Sequence, residues 1–591
     1  MIRDLKRSLT MVLELLAPEL RRRWLWLVPV AVIASLAEAG GAAAIFALMA
    51  ALADPARIET SAVARLLRSW TEDAGATAAV LGVAVALFFS IKNAFRTYEI
   101  YLRARCAADS GTALARRLLG RFLAASYTFH LRRSSSHLIG SVEAAGDFVS
   151  QSVLGSITNI VSNTLVVLAV GAVAMVTAPW SALAAAFAVA AILLAVFRLS
   201  ARTHARWGSE GLELRTRFLA ALQQTLAGFK EIRVFGREAF FERDFADLRA
   251  AAAELQLKRS VAAEALPIAV ETLFLFGVSL LVLVAELRGV QDVLPLVGLF
   301  AYVGFRLLPS FNQIIISLGT LPFAKAAVER IHAEYVAAAA NETRVAVSGA
   351  PRLRFEQRVE VRDVSYRYPG SSRTVIENVS FEIARGEVVG MTGPSGAGKS
   401  TLVDLLLGLL EPEQGRILVD GRDIREDLRA WQRQLGYVPQ SVHLFDDTVR
   451  RNVALGMADD AVDAARIVES IRQARLESVV ARLPQGLETR IGERGIRLSG
   501  GERQRLAIAR ALYHHPAILV FDEATSSVDA ATEKELAREI EALRTEKTIL
   551  VVAHRAATLE RCDRVLLLVE GRLTATVSPS EVAGILSRYH P

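Results

Sequence analysis

The chain has 591 residues, too many for one hydrophobic core, so two or more domains are expected. Hydrophobic residues make up 52% and the mean hydropathy is +0.33; this apolar excess lies in the first half, so the formal charge of +7 points to an anionic membrane surface rather than nucleic acid. The two cysteines, Cys106 and Cys562, are far apart, which excludes a disulfide framework and a cysteine-based metal site.

Residues 1–19 mix charge with apolar positions and read as an amphipathic helix lying at a membrane surface. Arg21, Arg22 and Arg23 then precede an apolar run over 24–52, broken by Glu38. About 20 apolar residues cross the hydrocarbon core, so this run suffices, and it reads as a retained span rather than a cleaved signal. The same criterion places further spans near 76–98, 153–177, 179–198, 262–285 and 290–318, six in all. The long segment after the second span carries Arg103, Arg105, Arg116, Arg117, Arg121, Arg132 and Arg133. The one after the fourth carries Arg202, Arg206, Arg215, Arg217, Lys230, Arg233, Arg237 and Arg243. Under the positive-inside rule both face the cytoplasm, as do the two termini. Both segments alternate apolar and charged residues at helical spacing, so the spans are expected to continue as helices beyond the membrane.

Glu38, Lys92, Glu271 and Arg306 fall within or near the ends of these apolar runs, where a charge is costly and faces protein or a water-filled cavity. Two readings stay open for them. One is a buried pair, such as Arg306 with Glu271, or a snorkelling side chain. The other is a cavity in which Lys92 and Arg306 meet an anionic substrate.

A helical extension over 325–340 and a polar linker over 341–352 close the first domain, 1–340. From 353 to 591 the texture changes to short β-rich runs, turns and soluble helices, as in an α/β nucleotide-binding domain. The fold expected is an all-α six-span transmembrane domain fused to an α/β phosphate-loop domain.

Gly393-Pro394-Ser395-Gly396-Ala397-Gly398-Lys399-Ser400 fits G-x-x-x-x-G-K-[ST], between an apolar run at 388–391 and another at 402–410. That context reads as strand, loop and helix. The glycines let backbone N–H groups face an anion, and the following helix presents its positive end. Lys399 is expected to reach the β- and γ-phosphates and Ser400 to help hold Mg²⁺; Ser395 and Thr401 complete the candidate ATP-binding loop. Tyr368 is a candidate to stack on adenine, although one of Tyr366 and Tyr368 can serve packing alone. Downstream, 517–521 is an apolar strand ending in Asp522 and Glu523, a place to hold Mg²⁺ through Asp522 and to orient or deprotonate water with Glu523. Leu498-Ser499-Gly500-Gly501-Glu502 opens a second glycine-rich helix start suited to a phosphate.

Here the sequence resembles the ATP-binding-cassette (ABC) family. Leu498 to Glu502 resembles its signature motif, Gln440 in Tyr437-Val438-Pro439-Gln440 its Q-loop, Ser527-Val528-Asp529 its D-loop, and His554 its switch histidine. The resemblance implies a head-to-tail dimer of this chain, with ATP on Lys399 and Ser400 of one copy closed by Ser499 and Gly501 of the other. It implies that Gln440 and Asp522 see Mg²⁺, that Glu523 activates water, and that His554 holds the γ-phosphate. Ile491-Gly492-Glu493-Arg494-Gly495 resembles a segment of ABC exporters, so export or flipping is expected over import. Ile91-Lys92-Asn93, the segments 127–134 and 228–238, and Phe305-Arg306-Leu307-Leu308-Pro309-Ser310-Phe311-Asn312 resemble the PglK-type lipid-linked oligosaccharide flippases. Pro267-Ile268 departs from that group, in which a basic residue follows the proline. The expectations are an ATPase in the bacterial inner membrane, cassette cytoplasmic, carrying a lipid-linked or similar amphipathic cargo. An exporter of peptides or drugs and a cassette-gated channel are the alternatives; intact Glu523 argues against the channel, and six apolar runs exclude a soluble ATPase.

Overall fold

The computed structural model describes residues 2–53, 74–177, 179–287, 293–342, 353–492, 495–523, 541–544, 547–582 and 584. Two compact units divide the chain: 1–125 with 129–342, and 126–128 with 343–591.

The first unit is helical. After α1 (Ile2–Leu15) come α2 (Pro18–Ala53), α3 (Ala74–Ala124), and the short α4 (Tyr127–Leu131) and α5 (Ser135–Glu143). A π-helical stretch (Ala144–Gly155) leads into α6 (Ser156–Thr177), followed by α7 (Pro179–Ala227), α8 (Phe229–Val234), α9 (Glu238–Leu287) and α10 (Val293–Ala340). Several of these run far beyond the roughly 20 residues a bilayer needs, α3 with 51 residues and α9 with 50 among them. Among the described residues, three helical stretches are long and apolar enough to cross a membrane: Pro18–Ile45, Ser135–Val173 and Leu307–Ala340. The third expected span, placed over 153–177, overlaps the second of these stretches, and its first residues lie in the π-helical turn rather than in α6. Helix α1 is amphipathic as expected, but protein covers its apolar face: Val12 and Leu15, with Leu16 just beyond the helix, are buried in the helical core. Arg117 donates to the Leu15 carbonyl at 2.8 Å and His332 lies 2.9 Å from Glu14. Glycine permits close helix approach at Gly111, where a Cβ would lie 1.9 Å from the Gly146 carbonyl oxygen.

The second unit holds two sheets. β1 (Arg358–Arg367), β2 (Thr374–Ala384), β4 (Gln414–Val419) and β5 (Arg422–Asp423) form an antiparallel sheet in the order β2-β1-β4-β5. The other runs β10-β9-β3-β8-β7-β6, from β3 (Val388–Thr392), β6 (Leu435–Val438), β7 (Ile518–Asp522), β8 (Thr548–Val552), β9 (Arg564–Val569) and β10 (Arg572–Val577). Its pairs are parallel except β9 with β10. Parallel strands are covered on both faces, which explains why β3, β7 and β8 are buried along their whole length and read as apolar runs. Successive residues serve opposite cores: Val388, Leu519 and Ile549 enter one, and Val389, Val520 and Leu550 the other. Around the sheets lie α11 (Lys399–Leu406), α12 (Leu428–Gln432), α13 (Val449–Val453), α14 (Ala464–Gln473), α15 (Glu477–Arg482), α16 (Gly500–Tyr513) and α17 (Ala556–Leu559).

Candidate active site

Ligands of open parallel sheets bind beyond the carboxyl ends of the strands. Three neighbouring strands end together here, because Met391 of β3 pairs with Val552 of β8, and Val552 with Asp522 of β7. Adjacent strands lie about 4.8 Å apart, so the loop after β3 and the carboxylate ending β7 are held within roughly 10 Å. Both groups expected from sequence to handle ATP therefore meet at one edge of the sheet.

The loop after β3 has three glycines at positive φ: Gly393 at 151°, Gly396 at 77° and Gly398 at 100°. They differ in what a side chain would meet. A Cβ on Gly393 would lie 1.9 Å from the Leu568 carbonyl oxygen, whereas one on Gly396 meets nothing within 4 Å. Gly396 and Ser395 thus form the open side of the loop, and both are exposed. Lys399, the first residue of α11, is buried and folds back, its Nζ donating to the carbonyls of Gly393 at 3.0 Å and Pro394 at 2.9 Å. Burial pulls its ammonium below the ordinary lysine value, while Glu523 and Asp522 act in the other direction. Ser400 is exposed and Thr401 buried; the Thr401 hydroxyl lies 3.1 Å from the Tyr368 hydroxyl. Tyr368 also stands edge-on to Tyr366, 5.1 Å between ring centres.

Asp522 is buried, and its Oδ1 has no hydrogen-bond partner among the described residues. Burial raises its carboxyl above the ordinary value, as does the charge of Glu523; Lys399 and Ser400 act the other way. A buried carboxylate oxygen left open this way fits a cation that completes its shell with other oxygens. Among the described residues no group of three His, Cys, Asp or Glu could hold a metal by itself. A Mg²⁺ ion here would share Asp522 and Ser400 with phosphate oxygens, in keeping with its habit of binding through one or two carboxylates and substrate.

Glu523 follows at φ 48°, a left-handed conformation rare for a side chain with a Cβ. Its N–H still reaches the Val552 carbonyl at 2.9 Å, so the β7–β8 ladder ends in a sharp turn that swings the side chain outward. Gln440 Nε2 donates to one carboxylate oxygen at 2.6 Å, and His554 Nε2 lies 2.7 Å from the other. Three residues far apart in sequence are thus joined at the end of the sheet. Beside them Asp404 sits in α11, where burial and the charge of Asp522 push its carboxyl up to about 6. Sequence reasoning did not single out Asp404; an acid inside the apolar run after the phosphate loop was the available signal.

Ser499 caps α16: its Oγ accepts from the Glu502 N–H, and the Glu502 carboxylate accepts from the Ser499 N–H at 2.8 Å. Glu502 is thereby committed to the helix cap and to Arg482, 2.8 Å away. Gly501 lies in the first turn of the same helix. The expected D-loop residues Ser527 and Asp529, and Glu493 and Arg494 of the exporter-like segment, lie outside the described residues, as does the linker from 343.

In the helical unit Lys92 is not a free cation. Its Nζ donates to the Glu38 carboxylate at 2.7 Å, both side chains are buried, and Nζ also sits 4.3 Å from the Phe89 ring centre. Sequence reasoning considered Glu271 with Arg306 instead; Glu271 is exposed on α9, and the Arg306 side chain lies outside the described residues. Glu38 as the partner of Lys92 was missed, though two opposite charges in separate apolar runs were a legible signal. The same face of α3 carries Arg96, bonded to Glu99 and Ser162, and Arg103, bonded to Asn159.

The family model described as ABC transporter matches residues 376–526, and that described as ABC transporter transmembrane region matches 44–305. A protein from Cupriavidus metallidurans named ATP-dependent lipid A-core flippase is 32% identical over 472 residues, 79% of this chain and 78% of that one. One of the same name from Paraburkholderia xenovorans is 43% identical over 249 residues, 41% of each chain. Among solved structures, a bacterial Atm1-family ABC exporter with ATP bound superposes with a TM-score of 0.77 at 26% identity, covering 97% of this chain and 99% of its own. The chain belongs to the ABC transporter family and is of the exporter type, a helical transmembrane domain fused to an ATPase that drives transport.

Proposed function

We propose that two copies of this chain form a flippase that uses ATP to move an amphipathic glycolipid from the inner to the outer leaflet of the bacterial inner membrane. The domains are a transmembrane domain over 1–340 with six spans, a linker over 341–352, and a cytoplasmic cassette over 353–591. The observation that carries the ATPase part is the Glu523 carboxylate held between Gln440 and His554, beside the phosphate loop. In this reading Tyr368 stacks on adenine and the loop N–H groups from Gly393 to Thr401 face the phosphates. Lys399 exchanges its two carbonyl partners for phosphate oxygens. Asp522, Ser400 and Gln440 hold Mg²⁺, which when bound screens the phosphate charge. Glu523 orients the attacking water, His554 holds the γ-phosphate, and Ser499 and Gly501 of the second copy close the site, with Glu502 fixing their cap.

The flippase part draws on the relatives named for lipid A-core flipping, and a lipid-linked oligosaccharide shares the required chemistry: an anionic, sugar-bearing head and a tail left in the bilayer. Lys92 and Arg306 are the candidate head-group contacts. The Glu38 pair favours a second reading, export of peptides or amphipathic drugs, because it already neutralises the Lys92 charge. The test is ATPase and flipping in proteoliposomes with a lipid A-core-type glycolipid, a polyprenyl-pyrophosphate glycolipid, or neither, for wild type and Arg306→Ala. Stimulation by one glycolipid that Arg306→Ala removes supports the flippase and identifies its head group. A basal rate indifferent to both glycolipids but raised by cationic peptides or drugs overturns it in favour of the second reading.

A further inference from the structure

Arg510 lies in the last turn of α16, on the signature helix. Its guanidinium makes three hydrogen bonds at once: Nε to the Asn452 carbonyl at 2.8 Å, one Nη to the His443 carbonyl at 2.9 Å, and the other to Asn452 Oδ1 at 2.9 Å. Asn452 is fully buried and continues the network. Its Nδ2 donates to the Phe445 and Thr448 carbonyls at 2.9 and 3.1 Å, and its Oδ1 accepts from the Phe445 N–H at 3.0 Å. The pair therefore closes the loop 443–448, which starts just after Gln440.

The same loop is pinned toward the signature from its other side. Leu444 is buried, and a Cβ on Gly495 would lie 2.6 Å from its Cδ1. The Ile491 N–H donates to the Asp447 carbonyl at 3.1 Å, and the Val449 N–H to the Thr489 carbonyl at 3.1 Å. Meanwhile Gln440 touches Glu523 at 2.6 Å. One continuous set of contacts thus runs from the Glu523 carboxylate through the Gln440 loop to the helix that Ser499 caps.

Among the described residues no carboxylate pairs with Arg510; every acceptor is a neutral carbonyl or amide oxygen. Placing a half-buried guanidinium there costs solvation that no ion pair offsets. What the guanidinium supplies is its rigid fork, which meets acceptors on two chain segments simultaneously; an ammonium on a flexible stem cannot reproduce it.

We propose that Arg510, seated on Asn452, is a positioning residue for ATP hydrolysis: it makes the Gln440 loop and the signature helix a single unit. Engagement of Gln440 at the nucleotide then sets the Ser499 cap, and the reverse. This rests on the reading of Gln440, Glu523 and Ser499 as nucleotide groups. Misplacement by about 1 Å costs as much as 100-fold in rate, and since Leu444 and Asp447 still hold the loop, a loss on the order of tenfold is expected.

The test uses the full chain in nanodiscs, with Arg510→Gln, Arg510→Lys, Gln440→Ala and Arg510→Gln combined with Gln440→Ala. ATPase rates are expressed per ATP-binding site, counted by titrating the same preparations with a non-hydrolysable ATP analogue, so that misfolded protein does not enter. The expectation is a roughly tenfold lower kcat for Arg510→Gln with ATP affinity within about twofold of wild type, partial recovery in Arg510→Lys, and a double variant no slower than Gln440→Ala alone. A normal kcat per site in Arg510→Gln alongside a defective Gln440→Ala overturns the role given to Arg510, as does a fully additive double variant. A normal kcat in Gln440→Ala overturns the nucleotide-site reading beneath it and the coupling with it.

Discussion

Replacing Glu523 separates chemistry from backbone strain at the centre of the candidate site. Its carboxylate is held at both oxygens, by Gln440 at 2.6 Å and by His554 at 2.7 Å, and its φ is 48°. Glu523→Gln keeps the shape: the new amide oxygen accepts from Gln440, and the amide nitrogen turns to His554. The negative charge and the proton acceptor are lost, and removing a positioned general base costs about 10²- to 10⁴-fold in rate. The variant is therefore expected to bind ATP and hold it, with hydrolysis reduced by that factor. Glu523→Gly loses the same chemistry and additionally relieves the left-handed backbone, where a Cβ costs about 1–2 kcal/mol. The greater chain entropy of unfolded glycine returns about 0.5–1 kcal/mol of this. Against Glu523→Ala, which loses the same two side-chain hydrogen bonds but keeps a Cβ, a net gain near 0.5–1 kcal/mol remains, which for a domain of this size raises Tm by about 1–4 °C. Phosphate release, nucleotide trapping and thermal unfolding of wild type, Glu523→Gln, Glu523→Ala and Glu523→Gly supply the comparison. Hydrolysis by Glu523→Gln at close to the wild-type rate refutes its assignment as the base, and a Tm for Glu523→Gly below that of Glu523→Ala refutes the strain argument.

Three further outcomes are expected. Gly393→Ala drives a Cβ against the Leu568 carbonyl and prevents the cassette from folding, while Gly396→Ala meets no atom and loses only about 1 kcal/mol of backbone stability; expression and thermal melts distinguish them, and equal behaviour contradicts the loop geometry. Lys92→Ala removes the ammonium that pairs with the buried Glu38 carboxylate and destabilises the helical unit by up to about 3–5 kcal/mol, whereas Glu38→Leu with Lys92→Met is close to neutral; melts in detergent check both, and a harmless Lys92→Ala rejects the pair as a structural contact. Asp404 titrates near 6 rather than 3.8, so the stability tied to its protonated form is complete below pH 3.8 and lost as pH rises through about 6. Asp404→Asn should therefore stabilise the protein above pH 7 by about 1 kcal/mol, after discounting for its half-exposed setting, and flatten the melt between pH 4 and 7.

Much of this protein is legible locally. A phosphate loop needs only a strand, glycines able to take positive φ, and a helix start, all within a few consecutive residues from Val388 to Lys399. The α16 cap is equally local, since Ser499 and Glu502 satisfy each other across one helical turn. Long helices follow from apolar runs. The boundaries between regular and irregular helix do not: the π-helical stretch at Ala144–Gly155 accompanies packing against α3, where Gly111 meets Gly146, and no composition cue marks it.

Pairings between distant residues required the tertiary structure. Lys92 chooses Glu38 because α2 and α3 cross there, a contact between side chains 54 positions apart that hydropathy cannot encode. Sequence identified Gln440, Glu523 and His554 as separate motifs, but their meeting depends on β6, β7 and β8 lying side by side in parallel, and the phosphate loop joins them because β3, far earlier in the chain, pairs with β8. Sequence reasoning did not single out Arg510; only its position against Asn452 reveals three simultaneous acceptors. The division has one physical origin. Backbone conformation and hydropathy are properties of neighbouring residues and can be read along the chain, whereas a buried polar group finds its partner in whatever segment the fold brings within about 3 Å.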